Sequence, residues 1–175
     1  GTKEFQGYSP YTVHRIDKET SGVLIVAKNR KYAQLFTSLF RIRKVHKTYL
    51  CIIVGNLKKN KGTLVDDLFH YEGEKKIKTK AITNFTVIDS NGNYTLLKLN
   101  PITGRKHQLR KQLLMHGHPI LGDSLYGKKS KISIDRHFLH ANKIIFTHPV
   151  TKNLMEFKSD LPKDLKTILN NIEND

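Results

Sequence analysis

Three short stretches hold residue types that could do chemistry. The first is His14-Arg15-Ile16-Asp17-Lys18-Glu19-Thr20-Ser21-Gly22, where Asp17 lies among polar residues just ahead of an apolar run. A carboxylate on a loop held by a rigid scaffold can serve as nucleophile or base. Taken alone, Asp followed by Thr-Ser-Gly is more often turn chemistry, with side chains bonding nearby amides. The second is Thr103-Gly104-Arg105-Lys106-His107-Gln108-Leu109-Arg110. A helix starting at Thr103-Gly104 would make an anion site, because free N–H groups and side-chain cations would point the same way. Arg110, one turn beyond Lys106 and His107, would share their face; a solvated basic helix face fits the same residues. The third, His116-Gly117-His118-Pro119-Ile120-Leu121-Gly122-Asp123-Ser124-Leu125-Tyr126-Gly127, has the glycines and proline of a tightly specified loop, with no chemistry readable from its composition.

The nine histidines are scattered, with no His-Glu-x-x-His pair, and the single cysteine leaves no Cys-x-x-Cys element. No metal and no cofactor are expected. His116 and His118 read as a helix cap and a loop contact. Cys51, inside Leu50-Cys51-Ile52-Ile53-Val54, reads as a buried small hydrophobe and excludes an internal disulfide. With no signal peptide or membrane span in the pattern, a cytoplasmic protein with no membrane partner is expected.

The elements that must position these stretches follow from periodicity. Val23 to Ala27 reads as a strand buried on both faces. Arg30 to Arg41 has Tyr32, Leu35, Phe36, Leu39 and Phe40 at helical spacing. Lys47 to Val54 and Gly62 to Leu68 read as strands. Thr83 to Ile88 and Tyr94 to Leu99 form a hairpin around Asn91-Gly92. The helix introduced by Thr103-Gly104 buries Leu109, Leu113 and Leu114 and ends at Gly117. A strand pair, Phe138 to Phe146 and Leu154 to Phe157, precedes a closing helix from Lys163 to Ile172. Sequential strand pairs with interspersed helices indicate an α+β fold with a mixed, largely antiparallel central sheet flanked by helices. Residues 1–175 are expected to form a single domain.

Charge points to the partner. Lys and Arg number 31 against 15 Asp and Glu, a net charge of +16. No acid falls between Glu19 and Asp66, or between Asn91 and Gly122. Long one-signed segments concentrate and capture polyanions, so a nucleic acid is expected. The same charge favours a monomer.

Together the motifs resemble the RluA-type pseudouridine synthases, and most closely the RluC branch, which acts on large-subunit ribosomal RNA. The family signature His-Arg-Leu-Asp, then Thr-Ser-Gly and Ala-Lys, stands here as His14-Arg15-Ile16-Asp17, Thr20-Ser21-Gly22 and Ala27-Lys28. Its Lys-x-Tyr strand is Lys47-Thr48-Tyr49, and its Thr-Gly-Arg-x-His-Gln-Ile/Leu-Arg segment is Thr103 to Arg110. The Gly-His-Pro loop matches Gly117 to Gly127, and Leu139-His140-Ala141 and His148-Pro149 complete the order.

The resemblance implies isomerisation of uridine in RNA, most naturally ribosomal large-subunit RNA, to pseudouridine without cofactor or metal. It casts Asp17 as the nucleophile and Arg110 as its cationic partner, with Arg105 as the second choice. Tyr49 would stack on a flipped-out base and Arg15 would fill the vacated space. Arg105, Lys106, His107 and Lys111 would contact the RNA, as would the basic helix from Arg30 to Lys44. An S4-like RNA-binding domain, usual before the Asp loop in this family, is expected to be absent from this chain. Lys111 and Gln112 depart from the commoner family helix, which bears on substrate choice. The alternatives are a non-catalytic RNA-binding module of the same fold, a basic ribosomal protein and a nuclease.

Overall fold

The computed structural model describes residues 9–174. The short strands β1 (Tyr11–Thr12), β2 (Ser21–Gly22) and β3 (Val26–Ala27) precede helix α1 (Arg30–Arg41). Strands β4 (His46–Val54), β5 (Lys61–Glu72), β6 (Lys75–Ser90) and β7 (Tyr94–Pro101) follow, then helix α2 (Gln108–Met115). Strands β8 (Leu139–Thr147) and β9 (Leu154–Lys158) and helix α3 (Lys163–Glu173) complete the order. Seven strands form one sheet in the order β2-β8-β4-β7-β6-β5, with β9 also on β8, while β1 and β3 pair separately. Among the described residues only β2 and β8 run parallel, so the sheet is mixed and largely antiparallel, as expected.

Alternation along the strands sends side chains to two cores. Cys51, Ile53, Leu97 and Leu99 pack under α2 against Leu109 and Leu113. Ile52 points to the opposite face and packs with Leu121, Phe138 and the α3 residues Leu165 and Ile172. A third cluster joins Phe36 of α1 to Val13, Val45, Ile144 and Phe146. The β6–β7 turn forms because the Asn91 side chain accepts from the amides of Asn93 and Tyr94, at 3.1 and 3.0 Å, with Gly92 at φ 94°. Among the described residues, no helix is long and apolar enough to cross a membrane.

Several expectations need correction. Val23 to Ala27 is not a strand buried on both faces: only Val26 and Ala27 lie in β3, and Leu24 and Val26 are exposed. The segment runs at the sheet margin, between the β2 pairing with β8 and the β3 pairing with β1, so only one side of it meets the core. The strand read at Gly62 to Leu68 extends to Glu72 in a long hairpin with β6. The helix introduced at Thr103 begins only at Gln108, because Thr103 Oγ1 and the Arg105 amide both bond the Gln108 side chain and hold a turn there. Arg105, Lys106 and His107 therefore precede the helix and share no helical face with Arg110. Leu114 is exposed, and the buried positions of α2 are Gln108, Leu109, Arg110, Gln112 and Leu113.

Candidate active site

The loop bearing Asp17 is tied down from below. The Thr20 amide donates to the Asp17 carbonyl at 2.9 Å, and Thr20 Oγ1 bonds the ring of buried His137 at 2.8 Å. Arg136 donates to the Glu19 carbonyl at 2.8 Å and to Ser21 Oγ at 3.0 Å. His140 Nε2 donates to the Ser159 carbonyl, which leaves Nδ1 to accept the Ser21 hydroxyl at 2.8 Å. Gly22 permits this close approach of the loop to β8: its φ is 117°, and a Cβ there would overlap the Ala141 carbonyl. These ties leave the Asp17 carboxylate facing outward with its backbone held.

Above it sits Arg110, whose guanidinium is shared by two carboxylates. Its Nε and Nη2 grip Asp123 at 2.6 and 2.8 Å, a two-pronged pair. Its Nη1 donates to Asp17 Oδ2 at 3.2 Å. Asp123 Oδ1 also accepts the amides of Leu125 and Tyr126, at 2.9 and 3.0 Å, which folds the Gly122–Gly127 loop around it. The hydrogen bond to Asp123 is the main reason the Arg110 pKa rises further above its ordinary value. Burial alone would raise the Asp123 carboxyl, yet the bonds from Arg110 and the two amides outweigh it and hold it below the usual carboxylate range.

His107 and Tyr126 close one side. His107 sits at φ 53°, in the left-handed region that non-glycine residues rarely adopt. Its Nδ1 meets Tyr126 Oη at 3.1 Å and its Nε2 lies 3.7 Å from Asp17 Oδ1. Burial, opposed by the Asp17 charge, lowers its pKa and so favours the uncharged ring. Tyr49 enters from β4, where the register with β8 shifts between Thr48 and Tyr49. Such a bulge re-aims a side chain. Burial first, and the Asp17 charge second, push the Tyr49 phenol up to about 12, so it stays protonated.

These groups line a cavity of about 330 Å³, a size suited to a small organic moiety. Asp17, Tyr49, Arg110, Arg15, Arg105, Lys106 and His107 all border it. Lys111 does not: it lies on a neighbouring groove with Phe69, Tyr71 and Tyr126. Arg105 does not pair with Asp17, and its Nε donates to the Lys80 carbonyl at 3.0 Å. Spacing along the chain does not single out Asp123, Tyr126, Arg136 or His137. Asp123 and Tyr126 stand in the loop from Gly117 to Gly127 that carries part of the resemblance, but the pairing of Asp123 with Arg110 spans a chain reversal that spacing does not reveal. Among the described residues, no group of three or more His, Cys, Asp or Glu side chains could hold a metal ion.

Among the described residues, Asp17 is the only acid bordering the cavity. Hydrolysis of a glycosidic bond ordinarily uses two carboxylates facing the substrate, and Asp123, its side chain fully buried against Arg110, cannot supply the second. The arrangement suits attack by one carboxylate on an electrophilic carbon, with cations at hand for a phosphorylated substrate.

The sequence profile described as RNA pseudouridylate synthase matches residues 1–115. The chain is 43% identical over 143 residues to an uncharacterized RNA pseudouridine synthase of Haemophilus influenzae, covering 79% of this chain and 63% of that protein. It is 37% identical over 171 residues to the ribosomal large subunit pseudouridine synthase C of Haemophilus ducreyi, covering 90% of this chain and 53% of that one. The chain thus spans between about half and two thirds of the length of these relatives. Among solved structures it is similar to human RNA pseudouridylate synthase domain containing 4, with a TM-score of 0.82 and 26% identity, covering 96% of this chain and 77% of that one.

Proposed function

The chain belongs to the RNA pseudouridylate synthase family, and from that premise we propose that it isomerises uridines in RNA to pseudouridine, with Asp17 as the nucleophile. The observation that carries the reading is the carboxylate of Asp17, the one acid among the described residues to border the cavity, which opens onto cations and Tyr49 and is fixed beside Arg110 at 3.2 Å.

In this reading the target base leaves its stack, at a cost of a few kcal/mol, and enters the cavity. Tyr49 stacks on it, which returns about 1–3 kcal/mol. Arg15 occupies the space the base vacated, while Arg105, Lys106, His107 and, from the neighbouring groove, Lys111 hold the surrounding RNA. The Asp17 carboxylate bonds to C1′ as the N1–C1′ bond breaks. The freed uracil turns over within the cavity. Its C5 then bonds to C1′ and displaces Asp17, the C5 proton leaves to solvent and N1, freed of C1′, takes up a proton from solvent. Nothing is oxidised or reduced, so the steps close without a cofactor. Arg110 keeps Asp17 aimed, and Asp123 keeps Arg110 from turning away.

The proposed substrate is ribosomal large-subunit RNA in the cytoplasm, supported by the named activity of the similar synthase C and by the net charge of +16. Tritium release from large-subunit RNA carrying 5-tritiated uridine tests the reading. The chain should release tritium and Asp17→Ala should not. Release from both would overturn the role of Asp17. Binding without release from either would favour a non-catalytic RNA-binding module.

A further inference from the structure

Next to the active cavity lies a second one, of about 380 Å³. The two share Arg15, Lys47, Tyr49, Thr103, Gly104 and Arg105, so they are contiguous. The far part of the second cavity is bordered by Phe40, Arg41, Arg43 and Ile102. Among the described residues five cations border it and no carboxylate does. None of the five is in an ion pair among the described residues.

Its construction is specific. Helix α1 ends where the Arg43 amide donates to the Phe40 carbonyl and the Lys44 amide to the Leu39 carbonyl, at 3.1 and 3.0 Å. This is a left-handed helix end, at which glycine is usual. An arginine occupies it instead, at φ 59°. Strain of this kind persists where the surrounding structure imposes it and is concentrated at functional positions. Beside it, the His14 ring stacks on Phe40, centroids 4.4 Å apart and planes 16° from parallel. His14 Nε2 accepts the Ile25 amide at 2.8 Å, so the ring offers a flat uncharged surface. Lys47 borders both cavities, and burial lowers its pKa, as befits an ammonium that lacks an anionic partner.

We propose that this cavity is a subsite for the nucleotide adjoining the target uridine, its base lying by the His14–Phe40 stack and its phosphate held by Lys47, Arg41 and Arg43. The proposal deepens the reading of the active site and rests on it. It commits to single-stranded RNA, because a duplex would present neither an unstacked base nor a phosphate at that depth.

The test is an isotope-edited NMR titration of the full chain with uridine 5′-monophosphate and with the trinucleotide UpUpU. Both should move amide signals around Asp17, Tyr49 and His107, and UpUpU should also move those of Phe40 to Val45. Arg41→Ala with Arg43→Ala should weaken UpUpU binding about tenfold and lower the salt slope by about 0.7 for each phosphate no longer neutralised. Lys163→Ala with Lys166→Ala removes the same charge from α3, on the opposite sheet face, and should change neither. Unmoved signals at Phe40 to Val45 beside a responsive active cavity would overturn the subsite. So would equal losses in the two double variants, which would mean bulk charge alone. An acidic tripeptide that moves the same signals as strongly as UpUpU would also overturn it. Absence of pseudouridine formation would count against the active-site reading only, because the titration decides the subsite without turnover.

Discussion

Two carboxylates hold the same arginine, and they do so in opposite ways. Asp123 is sealed: its side chain has no exposure, and it accepts two bonds from Arg110 and two from backbone amides. Asp17 keeps 17% of its side chain exposed and takes a single bond from Arg110. The Gly122–Gly127 loop therefore commits its carboxylate to structure, while the Asp17 loop leaves its own available to react. A carboxylate with every lone pair occupied is a poor nucleophile, and one with no partner is poorly aimed. The shared arginine lets one be fixed and the other only oriented.

This contrast is most sharply broken by removing each carboxylate in turn. Asp17→Ala should reduce isomerisation by at least about 10⁴-fold. Its stability in urea should stay within about 1 kcal/mol of the parent, because one partly exposed hydrogen bond disappears. A large loss of stability would mean that Asp17 is structural after all. Asp123→Asn should do the reverse. It leaves the buried Arg110 guanidinium with an incomplete partner, which should cost about 3–5 kcal/mol of stability. Activity should fall about 10²-fold through misplacement of Arg110 rather than loss of a reacting group. An unchanged urea midpoint would refute the sealed role.

Acid should separate the two loops by pH. His14, in the Asp17 loop, is held down to about 4 by burial and by the Lys47 charge. The unfolded chain, with a histidine pKa near about 6.5, takes the proton first. Stability from this group is thus full above about pH 6.5, falls as pH drops and levels off below its folded value. An effect of about 2–3 kcal/mol is expected from urea midpoints measured against pH, and His14→Gln should flatten that part of the curve. Asp123, with its folded pKa depressed, should contribute its own loss only below about pH 4. The smallest effect expected is that of Tyr126→Phe, which removes the bond to His107 and should cost about 0.5–1.5 kcal/mol, read as a few-fold loss of activity.

Much of this organisation was legible along the chain. Helix α1 follows directly from the spacing of Tyr32, Phe36, Leu39 and Phe40, and the β6–β7 hairpin from Asn91-Gly92, because both depend on interactions within a few residues. The resemblance carried by Thr103 to Arg110 placed Arg110 beside Asp17, although the helix there starts at Gln108 rather than at Thr103-Gly104. That shift came from the Gln108 side chain, which satisfies the turn ahead of the helix and so delays it. The strand read at Val23 to Ala27 failed for a related reason: hydrophobicity reports burial, but not how many faces a neighbour will cover.

By itself, then, the sequence determined most element types and the basic character, which rest on local pattern or residue type, while the choice of Asp17 as the carboxylate to propose rests on the family resemblance of its motifs. Only the tertiary structure decided that Asp123 and Asp17 share Arg110, that His137 and Arg136 hold the Asp17 loop, and that Arg41 and Arg43 reach a cavity beside Lys47. Arg110 and Asp17 are 93 residues apart, and Thr20 and His137 are 117 apart. Pairings at such separations arise from how β8 and β4 pair and where α2 packs on them, and no spacing rule along the chain encodes that arrangement.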